Sequence, residues 1–193
     1  MRAEQSLPEQ YVQVYALDLQ KNKKTAILVN VLALGIAALL VVPMLFVVPI
    51  TTLFDMEEGF GAYLLRFGVL AGGSVLYLVL HELVHGIAMK LCGTRRVHYG
   101  FTGMYAFAGS DDYYDKNGYI MIALAPIVVW GVVLAVLNLL VPTAWFWVVY
   151  LIQISNLSGA AGDLYVTVKF SRLPRDILVR DSGVAMTVYA RRD

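Results

Sequence analysis

The sequence predicts an all-α integral membrane protein: four transmembrane helices, both termini cytoplasmic, and a small cytoplasmic β element made by the N-terminal segment and a C-terminal hairpin. Three observations predict it. Of 193 residues, 59% are hydrophobic and 15% charged, with a mean hydropathy of +0.67, well above the roughly 45–50% apolar content of an ordinary soluble domain. Four apolar stretches are each long enough to cross about 30 Å of hydrocarbon, which takes around 20 helical residues at 1.5 Å each. Lysine and arginine gather in the segments on one side of them, as cytoplasmic loops do. The chain reads as one domain over 1–193.

The first helix is expected over 26–50, after a polar leader ending in Lys21, Asn22, Lys23 and Lys24. It is too long, and starts too late, for a cleaved signal peptide. The second is expected over 63–91, interrupted by Arg66, which near a helix end can snorkel to the headgroups, and by His81, Glu82 and His85, which cannot. The third covers 119–141. Pro142 and Thr143 then make a tight connection, so the fourth, over 144–170, returns antiparallel to it. The leader carries Arg2, Lys21, Lys23 and Lys24; the segment after the second helix carries Lys90, Arg95, Arg96 and Lys116; the tail carries Lys169, Arg172, Arg175, Arg180, Arg191 and Arg192. The remaining connections hold no basic residue, only Asp55, Glu57 and Glu58 among charged ones. A multi-pass protein of the cell membrane, in contact with the lipid bilayer, follows from this asymmetry.

Three shorter stretches are prone to β structure. Residues 11–19 (YVQVYALDL) partly alternate, and 177–189 (ILVRDSGVAMTVY) form two runs around a turn at Asp181, Ser182 and Gly183. Residues 96–108 (RVHYGFTGMYAFA), punctuated by Gly100, Gly103 and the following Gly109, suggest a hairpin or a re-entrant loop. The net charge of +1 offers no basic surface for nucleic acid. Cys92 is the sole cysteine, which excludes an internal disulfide and suits a small buried apolar residue.

The chemistry lies in the second helix, where residues 81–85 read H-E-x-x-H. Four residues advance a helix by about 400°, so the imidazoles of His81 and His85 project about 40° apart, one turn above the other, and can reach one metal ion. Glu82 flanks that face, about 60° from His85, where it suits a base acting on metal-activated water. Zinc held by two histidines and a carboxylate, with one position open, lowers the pKa of water to roughly 7 and polarises a carbonyl. The third ligand has one obvious candidate: Asp163 is the only acidic residue in the fourth stretch, and a lone intramembrane carboxylate is functional by default. Depth agrees, since His85 lies about 12 Å before Gly93 and Asp163 about 9 Å before Lys169 along their helices.

Two further polar residues are candidates for substrate binding. Asn156 lies two turns before Asp163 on the same helix face; it either hydrogen-bonds substrate or lets helices pack closely. His98 is either a transition-state donor or replacement ligand, or a solvated loop histidine. Asp111, Asp112 and Asp115 read as a solvated loop face.

These residues resemble the intramembrane site-2 metalloproteases and, more closely, a bacterial domain-of-unknown-function family described as zincin peptidases. The likeness spans most of the chain and rests on HELVHG at 81–86, IMIALAP at 120–126 and SGAAGDLY at 158–165; the tail RDSGVAMTVY is similar to the smaller family. The resemblance implies His81, His85 and Asp163 as zinc ligands and Glu82 as general base. Two departures stand out. The alanine-glycine-proline segment of site-2 proteases lacks its glycine here, and Asp163 sits between glycine and leucine rather than in an asparagine-proline-aspartate-glycine setting.

The function expected is a membrane-embedded zinc metallopeptidase cutting a membrane-associated or transmembrane peptide near the cytoplasmic face. A non-catalytic scaffold clamped by metal and a non-haem iron enzyme with the same donor set are the alternatives. A metal transporter fits less well, because the polar groups cluster at one depth and form no pathway.

Overall fold

In a computed structural model, the structure describes residues 3–18, 21–103 and 105–192. Arg2 of the basic leader, Leu19 at the end of the first β-prone stretch and Met104 inside the glycine-punctuated one lie outside the described residues. Strands β1 (Ala3–Glu4) and β2 (Tyr11–Asp18) precede helices α1 (Lys23–Leu45) and α2 (Phe60–Leu91). Then come β3 (His98–Phe101), β4 (Ala106–Gly109), β5 (Tyr113–Asp115) and α3 (Lys116–Leu140). Helices α4 (Phe146–Gly159) and α5 (Ala161–Ser171) and strands β6 (Leu178–Asp181) and β7 (Ala185–Arg191) complete the order.

The fold is therefore mixed α and β, and the expectation of an all-α protein with four spanning helices is corrected on two counts. First, the β-branched and aromatic tracts pair across long sequence separations into a five-stranded antiparallel sheet, ordered β1-β5-β6-β7-β2, and a separate β3–β4 hairpin. Second, among the described residues three helices are long and apolar enough to cross a membrane: α1, α2 and α3. The stretch 144–170 is no single helix. A 3₁₀ turn occupies Thr143–Trp145, and the chain breaks again at Ala160 between α4 and α5. The run Ser158-Gly159-Ala160-Ala161-Gly162 explains the break. Each glycine costs about 1 kcal/mol in a helix interior, and the Ser158 hydroxyl donates back to the Ile154 carbonyl at 2.7 Å, a contact that bends helices.

The chain forms two compact units. The first comprises Met1–Val29, His81–Pro126 and Gly162–Asp193. Its core joins one face of the sheet (Leu17, Tyr114, Val179, Val188) to Met89 and Cys92 of the α2 end, Tyr119 and Ile122 of α3, and Val166 and Phe170 of α5. Helix α2 stops at Gly93, whose φ of 95° is open to glycine. There the Thr94 and Gly93 N–H groups donate to Met89 and Lys90, a Schellman closure of the last turn. Cys92 is buried as expected. Asp115 caps α3 by accepting the Gly118 N–H at 2.6 Å.

The second unit comprises Asn30–Leu80 and Ile127–Ala161. Antiparallel α3 and α4 are joined in it by Gln153 to the Gly131 carbonyl and Asn156 to the Ile127 carbonyl, at 3.2 and 3.4 Å. Arg66 does not snorkel outward. It is 1% exposed, and its guanidinium donates to the carbonyls of Thr52, Ala144 and Asp55. Those carbonyls belong to short 3₁₀ turns and the end of one, whose backbone acceptors need donors once buried, which makes an inward position favourable. No α1 side chain is buried.

Candidate metal centre

Helical spacing brings His81 and His85 to one face of α2 as the period requires, with ring centroids 4.9 Å apart. Asp163 arrives from the first turn of α5. Its Oδ2 stands 3.6 Å from His81 Nε2 and 3.6 Å from His85 Nε2. Two donors bound to one zinc at about 2.0–2.2 Å in a tetrahedron lie roughly 3.3–3.6 Å apart, so each imidazole nitrogen is spaced from the Asp163 oxygen as a shared ion demands. The Glu82 carboxylate completes the group: its oxygen and the imidazole nitrogens all lie within 4.8 Å of one another. Ala108 of β4 lies beside that carboxylate. Both histidines are buried, and the Asp163 side chain retains 21% exposure.

His85 Nδ1 lies 2.9 Å from the Ile122 carbonyl. A carbonyl only accepts, so Nδ1 carries the hydrogen and Nε2 is the nitrogen aimed at Asp163. Behind them, the Tyr119 hydroxyl donates to Asp181 Oδ2 at 2.8 Å, and the Gly183 N–H donates to Asp181 Oδ1 at 2.8 Å. Burial pushes the Asp181 carboxyl above its ordinary range, against these two donors. Gly86, the last residue of HELVHG, leaves room for the Tyr99 ring of β3, whose hydroxyl would lie 1.9 Å from a Cβ there.

The other candidates are placed elsewhere. His98 is exposed on β3, with Nε2 3.6 Å from Asp111 Oδ2. Asn156 belongs to the second unit and is fully buried. Its amide accepts from Tyr77 at 3.0 Å and faces Ile127 and Gln153, an arrangement suited to helix packing. Of the three aspartates read as a solvated face, Asp111 is exposed, and Arg180 beside it holds its carboxyl below the usual range. Asp112 is instead buried and accepts the Arg95 N–H at 3.2 Å, because the loop folds over its own backbone donors.

Sequence reasoning missed the Ile122 carbonyl and the Tyr119–Asp181 pair. A signal existed only for the first, in the proline at 126, four residues after Ile122.

No curated protein and no solved structure matches the chain. A family model described as "Putative zincin peptidase" matches residues 74–178, a span that contains the paired histidines, Glu82 and Asp163. The match covers more than half of the chain, and the cofactor of a zincin is zinc. The chain belongs to this family of zincin-type peptidases.

Proposed function

We propose that this protein is a membrane-embedded zinc metallopeptidase that hydrolyses a peptide bond of a membrane-associated or transmembrane substrate near the cytoplasmic face. The observation that carries the reading is the approach of two imidazole Nε2 atoms to one Asp163 oxygen, each at 3.6 Å. His81, His85 and Asp163 would hold the ion. Bound there, zinc supplies Lewis acidity toward a carbonyl and makes water a nucleophile near neutral pH. Glu82 takes a proton from the attacking water as the carbon–oxygen bond forms, then delivers it to the amine nitrogen as the carbon–nitrogen bond breaks.

Membrane embedding is supported by the apolar side chains exposed along α1, α2 and α3, among them Leu34, Leu39, Leu76 and Leu139, since water-facing patches of that extent are rare. The cytoplasmic side is supported by Lys90, Arg95, Arg96 and Lys116 around the ends of α2 and α3 nearest the site. His85 lies six residues, about 9 Å, inside the α2 end at Leu91. A substrate helix must unwind before its carbonyls become accessible. The β3–β4 hairpin, through the outer edge of β4, is suited to hold the unwound strand by edge pairing.

Glu82→Gln tests the reading. Membranes holding the variant should lack the new protein N-termini found with wild type, while the purified variant keeps its zinc. Identical N-termini in both would remove the peptidase mechanism in favour of a metal-clamped scaffold. Stoichiometric iron with little zinc in the purified protein would favour an oxygenase, because two histidines and a carboxylate also serve iron.

A further inference from the structure

We infer that Pro126 is a positioning residue for His85, acting through the carbonyl of Ile122. In an α-helix the carbonyl of residue i−4 accepts the N–H of residue i, and proline has none. Pro126 sits inside α3, so the Ile122 carbonyl loses its partner within the helix. Ile122 is 2% exposed, and a buried carbonyl left unpaired is unfavourable. His85 Nδ1 fills that vacancy at 2.9 Å. The missing backbone proton on one helix thus fixes the tautomer and rotation of an imidazole on another, and leaves Nε2 directed at the Asp163 oxygen 3.6 Å away. Ligand imidazoles are commonly oriented by such an acceptor on the other nitrogen; here a proline makes the acceptor available.

The inference rests on His85 being a metal ligand, and it separates from any claim about peptide cleavage. Pro126→Ala restores an N–H that competes for the Ile122 carbonyl. It also places a better helix former inside the helix. Two effects of opposite sign follow. The metal-free variant should melt no lower than wild type, while its zinc affinity, read by competition with a chromophoric chelator, should fall about 10–100-fold. A purely structural proline would lower both or neither.

Nitrogen-15 spectra of the zinc-loaded protein, labelled at histidine, give the direct readout. In wild type the His85 Nδ1–H should be a slowly exchanging signal, and in Pro126→Ala that signal should shift or exchange faster while the His81 ring signals stay in place. Fast exchange of the His85 Nδ1–H in wild type would overturn the inference whatever the variant does. So would unchanged zinc affinity in a folded variant, or equal disturbance of both histidines. A protein that passes these tests and cleaves nothing would end the peptidase reading and leave the role of Pro126 intact.

Discussion

The Oδ2 atom of Asp163 lies 3.6 Å from His85 Nε2, and His81 Nε2 meets the same oxygen at the same distance. One oxygen facing two imidazole nitrogens brings a negative charge to the point where a cation would be shared.

Asp163→Asn should weaken zinc binding by more than the ~10–100-fold that follows loss of a partner outside the ligand set, whereas Glu82→Gln should leave it within a few-fold of wild type. Chelator competition on the purified proteins measures both. The same contrast should appear on heating, because zinc present at about 100 times its dissociation constant stabilises the folded state by ~2.7 kcal/mol. Wild-type affinity in Asp163→Asn would remove that residue from the ligand set.

Gly109→Ala should destabilise the protein and misplace β4. An added Cβ would stand 2.3 Å from the Ser182 carbonyl carbon and 2.5 Å from the Gly183 nitrogen, both backbone atoms that cannot swing aside. Overpacking of this kind costs about 1–3 kcal/mol, or several degrees in the melting midpoint for a chain of this size. Gly72→Ala is the control, since a Cβ there meets nothing within 4 Å and alanine favours the helix. Equal midpoints for Gly109→Ala and wild type would show that the β6–β7 turn yields easily.

The buried Asp181 carboxyl carries a pH signature. Its folded-state pKa is raised by burial above the ordinary carboxylate value of about 3.9, so the folded protein holds this proton more tightly than the unfolded chain. The stability that results is complete below the unfolded pKa and is lost as pH rises through the folded one. Asp181→Asn has no such proton to lose. Midpoints recorded from about pH 4 to neutrality should therefore move in favour of the variant as pH increases; a constant gap between the two proteins would contradict the shift.

Features written in local periodicity were legible before any coordinate. The apolar lengths of α1, α2 and α3, the shared face of His81 and His85, and the strands at 11–18, 178–181 and 185–191 all follow from repeats of 3.6 and 2 residues. The stretch 144–170 shows where that reading fails. Hydropathy sums over a window and is blind to the small-residue run 158–162, where serine back-bonding and two glycines end one helix and begin another. The snorkelling expected of Arg66 fails for a related reason, because nothing local reveals that the carbonyls of Thr52, Asp55 and Ala144 meet around one guanidinium.

From residue order alone come the donor types, their spacing on α2 and the solitary acid at 163, because a helix repeats its geometry wherever it lies. Convergence is a different matter. That Asp163 faces both imidazoles, and that the Ile122 carbonyl left free by Pro126 is taken by His85, depend on segments far apart in the chain. Their meeting is decided by packing around the first unit's core, where buried hydrogen-bonding groups must find partners wherever the fold offers them.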